Sequence, residues 1–135
     1  MSESFSQEGY TLMGAASEVH NLRGGGLTEK IYQQSLEIEL ELRNVPFPRK
    51  EELLVYYKGR LLKKRYIPDL FVYGHIVVEL KSVSAITPEH AAQLMNDMRI
   101  TCSPIGYLIN FGPIGKLPYK RFILSEFLRE DLSRK

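Results

Sequence analysis

YIPDLFVYGHIVVELKS, residues 66–82, carries two strand-like runs on either side of Tyr73-Gly74-His75. Tyr66 to Val72 and Ile76 to Lys81 are rich in β-branched and aromatic residues. The glycine between them supplies a turn, so the stretch predicts an antiparallel hairpin. Side chains alternate along a strand, which puts Glu79 and Lys81 on one side and Ile76, Val78 and Leu80 on the other. Asp69 and Glu79 each lie five residues from Gly74, so this register sets them opposite one another. It also pairs Leu70 with Val78 and Val72 with Ile76. One face is then apolar and packs, and the other carries Asp69, Glu79 and Lys81. A slip of one residue would separate Asp69 from Glu79 across the sheet, so the register is the reading on which the rest depends.

Ahead of the hairpin, Leu12, Met13, Ala16 and Val19 recur at helical spacing between Glu8 and about Asn21, and Gly24-Gly25-Gly26 ends that helix. Leu27 to Leu42 reads as a longer helix. Leu27, Ile31, Ile38 and Leu42 form one stripe, widened by Tyr32, Leu36 and Leu40, and the helix is expected to pack on the sheet. Pro46 and Pro48 stop it. Leu53 to Tyr57 reads as a strand, followed by a basic turn around Gly59. Beyond the hairpin, Thr87-Pro88-Glu89 is a helix start: a capping side chain, a proline at the first helical position and an acid facing the helix dipole. Ala91, Leu94, Met95 and Met98 form its inner stripe. Pro104 separates it from Ile105 to Phe111, an internal strand, and Gly112-Pro113 turns the chain toward a last strand, Arg121 to Leu124. Phe127, Leu128 and Leu132 suggest a short closing helix, with Ser133-Arg134-Lys135 frayed. The order predicts a mixed sheet with helices on its faces, an α/β protein.

A hydrophobic fraction of 44%, a charged fraction of 25% and no apolar run of membrane-spanning length exclude a transmembrane protein and suggest a water-soluble one. The start MSESFSQEGY lacks the pattern of a secretory signal, so a cytoplasmic location is expected. The single cysteine, Cys102, reads as a small buried or loop residue rather than a nucleophile. His20, His75 and His90 lack zinc-site spacing and read as structural or exposed. No glycine loop with a Lys-Ser/Thr ending follows a strand, so ATP use is not indicated. The net charge of +2 is too small to demand a nucleic-acid partner, but its distribution is uneven. Lys58, Arg60, Lys63, Lys64 and Arg65 crowd around one turn. Lys63, Lys64 and Arg65 are candidates for gripping nucleic-acid phosphates, and equally for a solvated turn.

Five short matches share one order along the chain. Gly26 to Tyr32 reads GxxExxY; Pro68-Asp69 and Glu79-Leu80-Lys81 follow; then come Ala92-Gln93-Leu94-Met95-Asn96 and Ile109-Asn110-Phe111-Gly112. With these motifs the chain, from about Glu8 to Leu124, resembles the GxxExxY family of the PD-(D/E)XK nuclease superfamily. The resemblance implies a restriction-endonuclease-like fold, a mixed sheet flanked by helices, in one domain over residues 1–135. It also implies a divalent-metal-dependent nuclease acting on DNA or RNA.

Mg²⁺, or Mn²⁺ in its place, takes hard oxygen ligands and keeps several waters, so a few carboxylates and a substrate phosphate suit it. Asp69 and Glu79 would supply the core, the Leu80 carbonyl a further oxygen, and Glu29 a carboxylate from the helix. Lys81 would sit beside the attacking water and offset charge growing on the phosphate. Gln93 resembles the glutamine of a QxxxY motif that helps place substrate, but Asp97 stands where the tyrosine is expected. Glu29 is also a common first-turn residue on dipole grounds alone, Tyr32 reads as core packing, and the charged strand face could be merely solvated. A nucleic-acid-binding or assembly module with little activity, and a hydrolase of another phosphoester, are the rival readings. A homodimer would give two sites for cutting both strands of a duplex, although no heptad marks one.

Overall fold

The computed structural model describes residues 5–128; Leu132 and residues 133–135 lie outside them. Two helices lead, α1 (Ser6–Arg23) and α2 (Glu29–Leu42). The short strands β1 (Tyr56–Tyr57) and β2 (Arg60–Leu61) follow, then β3 (Leu70–Val72), β4 (Ile76–Lys81), α3 (Pro88–Thr101), β5 (Ile105–Asn110) and β6 (Tyr119–Ile123). The main sheet has the order β3-β4-β5-β6. β3 and β4 pair antiparallel with Leu70 opposite Val78 and Val72 opposite Ile76, the register the turn predicts. β4 and β5 run parallel and are joined through α3, as a parallel pair requires. β6 returns antiparallel on β5. Residues 125–128 are helical, which bears out the start of the closing helix.

Both faces of the sheet are covered. Leu70, Val72, Val78, Leu80 and Ile109 pack with Leu12, Ala16, Tyr32, Leu36 and Leu40 of α1 and α2. On the other face Val77 and Leu108 lie under Leu94 and Met98 of α3. The Glu79 face is therefore not polar throughout: it is roofed at Val77 and opens toward Glu79 and Lys81, which are half-buried. β5, buried along its whole length, is the central strand its apolar run predicts. α3 begins as expected, with Thr87 Oγ1 accepting from the His90 amide and Thr87's own amide donating to His90 Nδ1. Among the described residues, no helix is long and apolar enough to cross a membrane.

Three expectations change. The second helix starts at Glu29, leaving Leu27 exposed ahead of it; in α2 the row facing the core is Tyr32-Leu36-Leu40, while Ile31, Ile38 and Leu42 are exposed, Leu42 at 72%. The helix carries apolar residues on most of its circumference, and only one row of fourth residues meets the sheet. Residues 53–57 do not join the main sheet as a strand. They form a separate ribbon with β2, closed by a two-residue turn in which Lys58 and Gly59 both have positive φ. The run from Tyr66 to Val72 is strand only from Leu70, since Pro68 has no amide hydrogen for a ladder.

Candidate active site

The site is assembled where α2 begins and where β4 and β5 end. Tyr32 stacks on Phe111 with ring centroids 4.5 Å apart and planes at 13°. Its hydroxyl donates to the Gly24 carbonyl at 2.6 Å and accepts the Leu27 amide at 3.0 Å. Gly26 donates to the Phe111 carbonyl, and Ser82 Oγ donates to the Leu27 carbonyl. The tyrosine of GxxExxY is thus a core residue that ties the loop before α2 to the strand ends. Asn110, fully buried, accepts the amides of Val83 and Gly112 at 3.0 Å and donates to the Val83 carbonyl at 3.0 Å. Gly112 lies so close to this loop that a Cβ there would stand 2.0 Å from the Val83 carbonyl oxygen. The Asn-Phe-Gly sequence therefore fixes the chain just beyond Lys81.

Asp69 turns onto β4. Its Oδ2 accepts the Leu80 amide at 2.8 Å, and its own carbonyl accepts Gln33 Nε2 at 2.9 Å. Glu79 stands beside it. Burial, and then the neighbouring Asp69 charge, hold the Glu79 carboxyl up at about 8, against a hydrogen bond from the Tyr66 hydroxyl that favours the ionised form. The Tyr66 phenol is raised in turn, chiefly by burial and then by Glu79. Asp97 completes the group from α3. Gln93 Nε2 donates to both of its oxygens at 3.3 Å, which with the nearby Tyr66 hydroxyl favours the ionised form, and burial nevertheless raises its carboxyl. The acid in place of the expected tyrosine thus faces the site, and Tyr66 supplies a phenol there from another element.

Lys81 follows Glu79 on the same face of β4, and among the described residues its ammonium has no ion pair or hydrogen bond. Glu29 is exposed in the first turn of α2, one turn before Gln33, whose side chain reaches Asp69. That spacing aims its turn at the site without bringing it into contact. Leu80 gives its amide to Asp69. Gln93 is exposed and engages Asp97. Lys63 and Lys64 are exposed, while Arg65 is half-buried and donates through Nη1 to the carbonyls of Leu62 and Lys63, bracing the turn. Elsewhere, His20 bonds to the Pro113 carbonyl, His75 to Glu8, and Cys102 is an exposed residue in the left-handed region at the end of α3.

Among the described residues no three His, Cys, Asp or Glu side chains form a metal cage. Two adjacent carboxylates suit Mg²⁺, which commonly binds one or two and fills its octahedron with water and phosphate oxygen. The proton that Glu79 retains near neutrality is what a cation beside Asp69 would displace. This gives a first expected result. In chelator, folded Glu79 holds a proton between about pH 4.5 and about 8 that the unfolded chain has released, so stability falls as pH rises through that window. Glu79→Gln removes this contribution, and its urea midpoint should decline less between pH 5 and pH 8.5 than that of the unaltered chain. Equal slopes would contradict the placement of Glu79.

Sequence reasoning did not find Tyr66, Gln33 or Asn110 as site-building residues. For Asn110 a signal existed in the Asn-Phe-Gly strand end; the other two look locally like ordinary strand and helix residues.

A mixed sheet with helices on both faces, and an Asp-Glu pair on its β3–β4 hairpin, define a restriction-endonuclease-like α/β protein. The model of the PD-(D/E)XK nuclease superfamily matches residues 6–122, and the chain belongs to that superfamily. A solved structure described as "Crystal structure of SSO0001" is similar over 78% of this chain and 59% of its own, with a TM-score of 0.52 and 17% identity. At that identity the likeness shows the fold. This chain spans less than two thirds of that structure's length. No curated protein matches the sequence.

Proposed function

We propose that this chain is a divalent-metal-dependent nuclease of the GxxExxY branch, one domain over residues 1–135 that hydrolyses phosphodiester bonds of DNA or RNA. The observation that carries the reading is the placement of Asp69 against β4 beside Glu79, with Lys81, which has no partner among the described residues, on the same strand face. Asp69 and Glu79 would hold Mg²⁺ or Mn²⁺, with the Leu80 carbonyl and Glu29 as further oxygens. When bound, the cation supplies an acidified water and neutralises phosphate charge. Lys81 orients that water and offsets the charge that grows on the phosphate during attack. Gln93 positions substrate at the α3 side, and Lys63 and Lys64 bind phosphates further along the strand.

Asp97 favours a second reading. A third carboxylate near Glu79 repels a substrate phosphate unless a cation screens it, so a binding or assembly module with little turnover would also carry this residue. Incubating the chain with labelled single-stranded and double-stranded DNA and RNA, and with mononucleotides, in Mg²⁺, Mn²⁺ or chelator separates the readings. Metal-dependent cleavage of a polymer is the expected result, and paired cuts in a duplex would point to a homodimer. Binding without cleavage would favour the module, and hydrolysis of nucleotides alone a different phosphoesterase.

A further inference from the structure

The ribbon formed by residues 53–66 stands apart from the main sheet. Tyr56 pairs with Leu61 and Tyr57 with Arg60, and the Leu62 amide donates to the Val55 carbonyl at 2.9 Å. At its base Leu53 and Tyr66 exchange both backbone hydrogen bonds, at 2.8 and 3.0 Å, with Lys63-Lys64-Arg65 looped out between the paired segments. Residues 53–68 contain five cations and no acid, and among the described residues none of these cations takes part in an ion pair. The ribbon also exposes apolar surface that folding would ordinarily bury: Tyr56 is 53% exposed, Tyr57 64% and Leu61 50%. Lys58 Nζ lies 5.6 Å from the centre of the Tyr57 ring. Its last residue, Tyr66, hydrogen-bonds to Glu79, so the arm leads directly into the carboxylate site.

Cations alone suit any polyanion, but exposed rings among them suit one whose flat apolar faces are accessible. In a duplex those faces are stacked inside and only phosphates and groove edges are offered. In a single strand each base offers a face to an aromatic side chain while the backbone runs past the cations. We propose that the 53–66 arm binds a stretch of unpaired nucleic acid, with Tyr56 stacking on a base and Lys58, Arg60, Lys63 and Lys64 contacting flanking phosphates. This rests on the nuclease reading and narrows its substrate to single strands or duplexes with single-stranded ends or gaps. The backbone pairing at Tyr66 then delivers the strand to Glu79 and Asp69.

The test measures binding in chelator, where cleavage is silent. Fluorescence anisotropy would compare a labelled thymidine 20-mer with a blunt hairpin duplex of the same length over a salt series. The single strand should bind about tenfold or more tightly than the duplex. Tyr56→Ala should weaken single-strand binding by about tenfold, Tyr56→Phe should restore it, and neither should alter duplex affinity. Lys63→Ala with Lys64→Ala should reduce the salt slope for both probes. Because Tyr56 is exposed, the thermal midpoint of each variant should stay at that of the unaltered chain. Equal affinity for both probes with no effect of Tyr56→Ala would overturn the proposal, as would no binding to either, the outcome expected if the arm instead docks an acidic protein. Cleavage in Mg²⁺ is scored separately with the same probes, so single-strand binding through Tyr56 without cleavage would count against the nuclease reading and not against the arm.

Discussion

Replacing Lys81 by methionine should cut metal-dependent turnover by roughly two to four orders of magnitude while leaving the fold in place. Lys81 is half-buried on β4, where its backbone pairs with Asn110 and its carbonyl accepts the Phe111 amide at 2.8 Å; none of this needs the side chain. Methionine retains most of the apolar stem, so packing is largely preserved. What disappears is a cation with no partner among the described residues, standing after Glu79 on the strand face where the phosphate would be attacked. Loss of a neighbouring positive charge does not weaken the attraction of the carboxylates for a cation. The expected pattern is therefore slow chemistry, metal affinity at least equal to that of the unaltered chain, and an unchanged unfolding midpoint. Near-normal cleavage by the methionine variant would exclude the catalytic role, since a solvated lysine loses almost nothing on this change.

Tyr66→Phe should weaken Mn²⁺ binding by about ten- to a hundredfold, the usual cost of removing a hydrogen bond that orients a metal ligand. The ring, which packs against the cluster of Val77, Leu94, Met98, Leu108 and Leu124, remains. The lost hydroxyl is the donor that holds Glu79. Without it, Glu79 regains rotamer freedom in a place where water cannot fully replace the bond, so its carboxylate is less often aimed at the cation. Calorimetric titration with Mn²⁺ at fixed pH reads the effect without reference to activity. Equal or tighter binding by the phenylalanine variant would mean that the phenol competes with the cation for the Glu79 oxygen.

The hairpin register was legible because three constraints agreed: alternation along Ile76 to Lys81, a glycine turn, and equal distances of Asp69 and Glu79 from Gly74. The start of α3 was legible because its capping residues act within one turn. Tyr66 was hidden for a geometric reason. In a continuous strand from Tyr66 to Val72 it would share the face of Leu70 and Val72, away from Glu79. The ladder begins only at Leu70, and the break at Pro68 lets Tyr66 reach the opposite side, a reversal set by its pairing with Leu53 thirteen residues earlier. The wrong stripe in α2 has a similar origin. Isoleucines and leucines lie on most sides of that helix, and the row that turns inward is the one whose first residue, Tyr32, stacks on Phe111 far along the chain. The superfamily was legible in short motifs whose physical work proves distinct: Tyr32, Asn110 and Gly112 build the corner, and Asp69, Glu79 and Lys81 occupy it.

The role of the carboxylate pair in metal-dependent hydrolysis is measured by cleavage of a labelled single-stranded oligonucleotide by the unaltered chain and by Asp69→Ala, each in Mg²⁺ and in chelator. Shortened fragments are expected only for the unaltered chain in Mg²⁺, with Asp69→Ala folded and inactive because it loses the carboxylate beside Glu79. Cleavage that persists in chelator, or that survives Asp69→Ala at the same rate, would contradict that role.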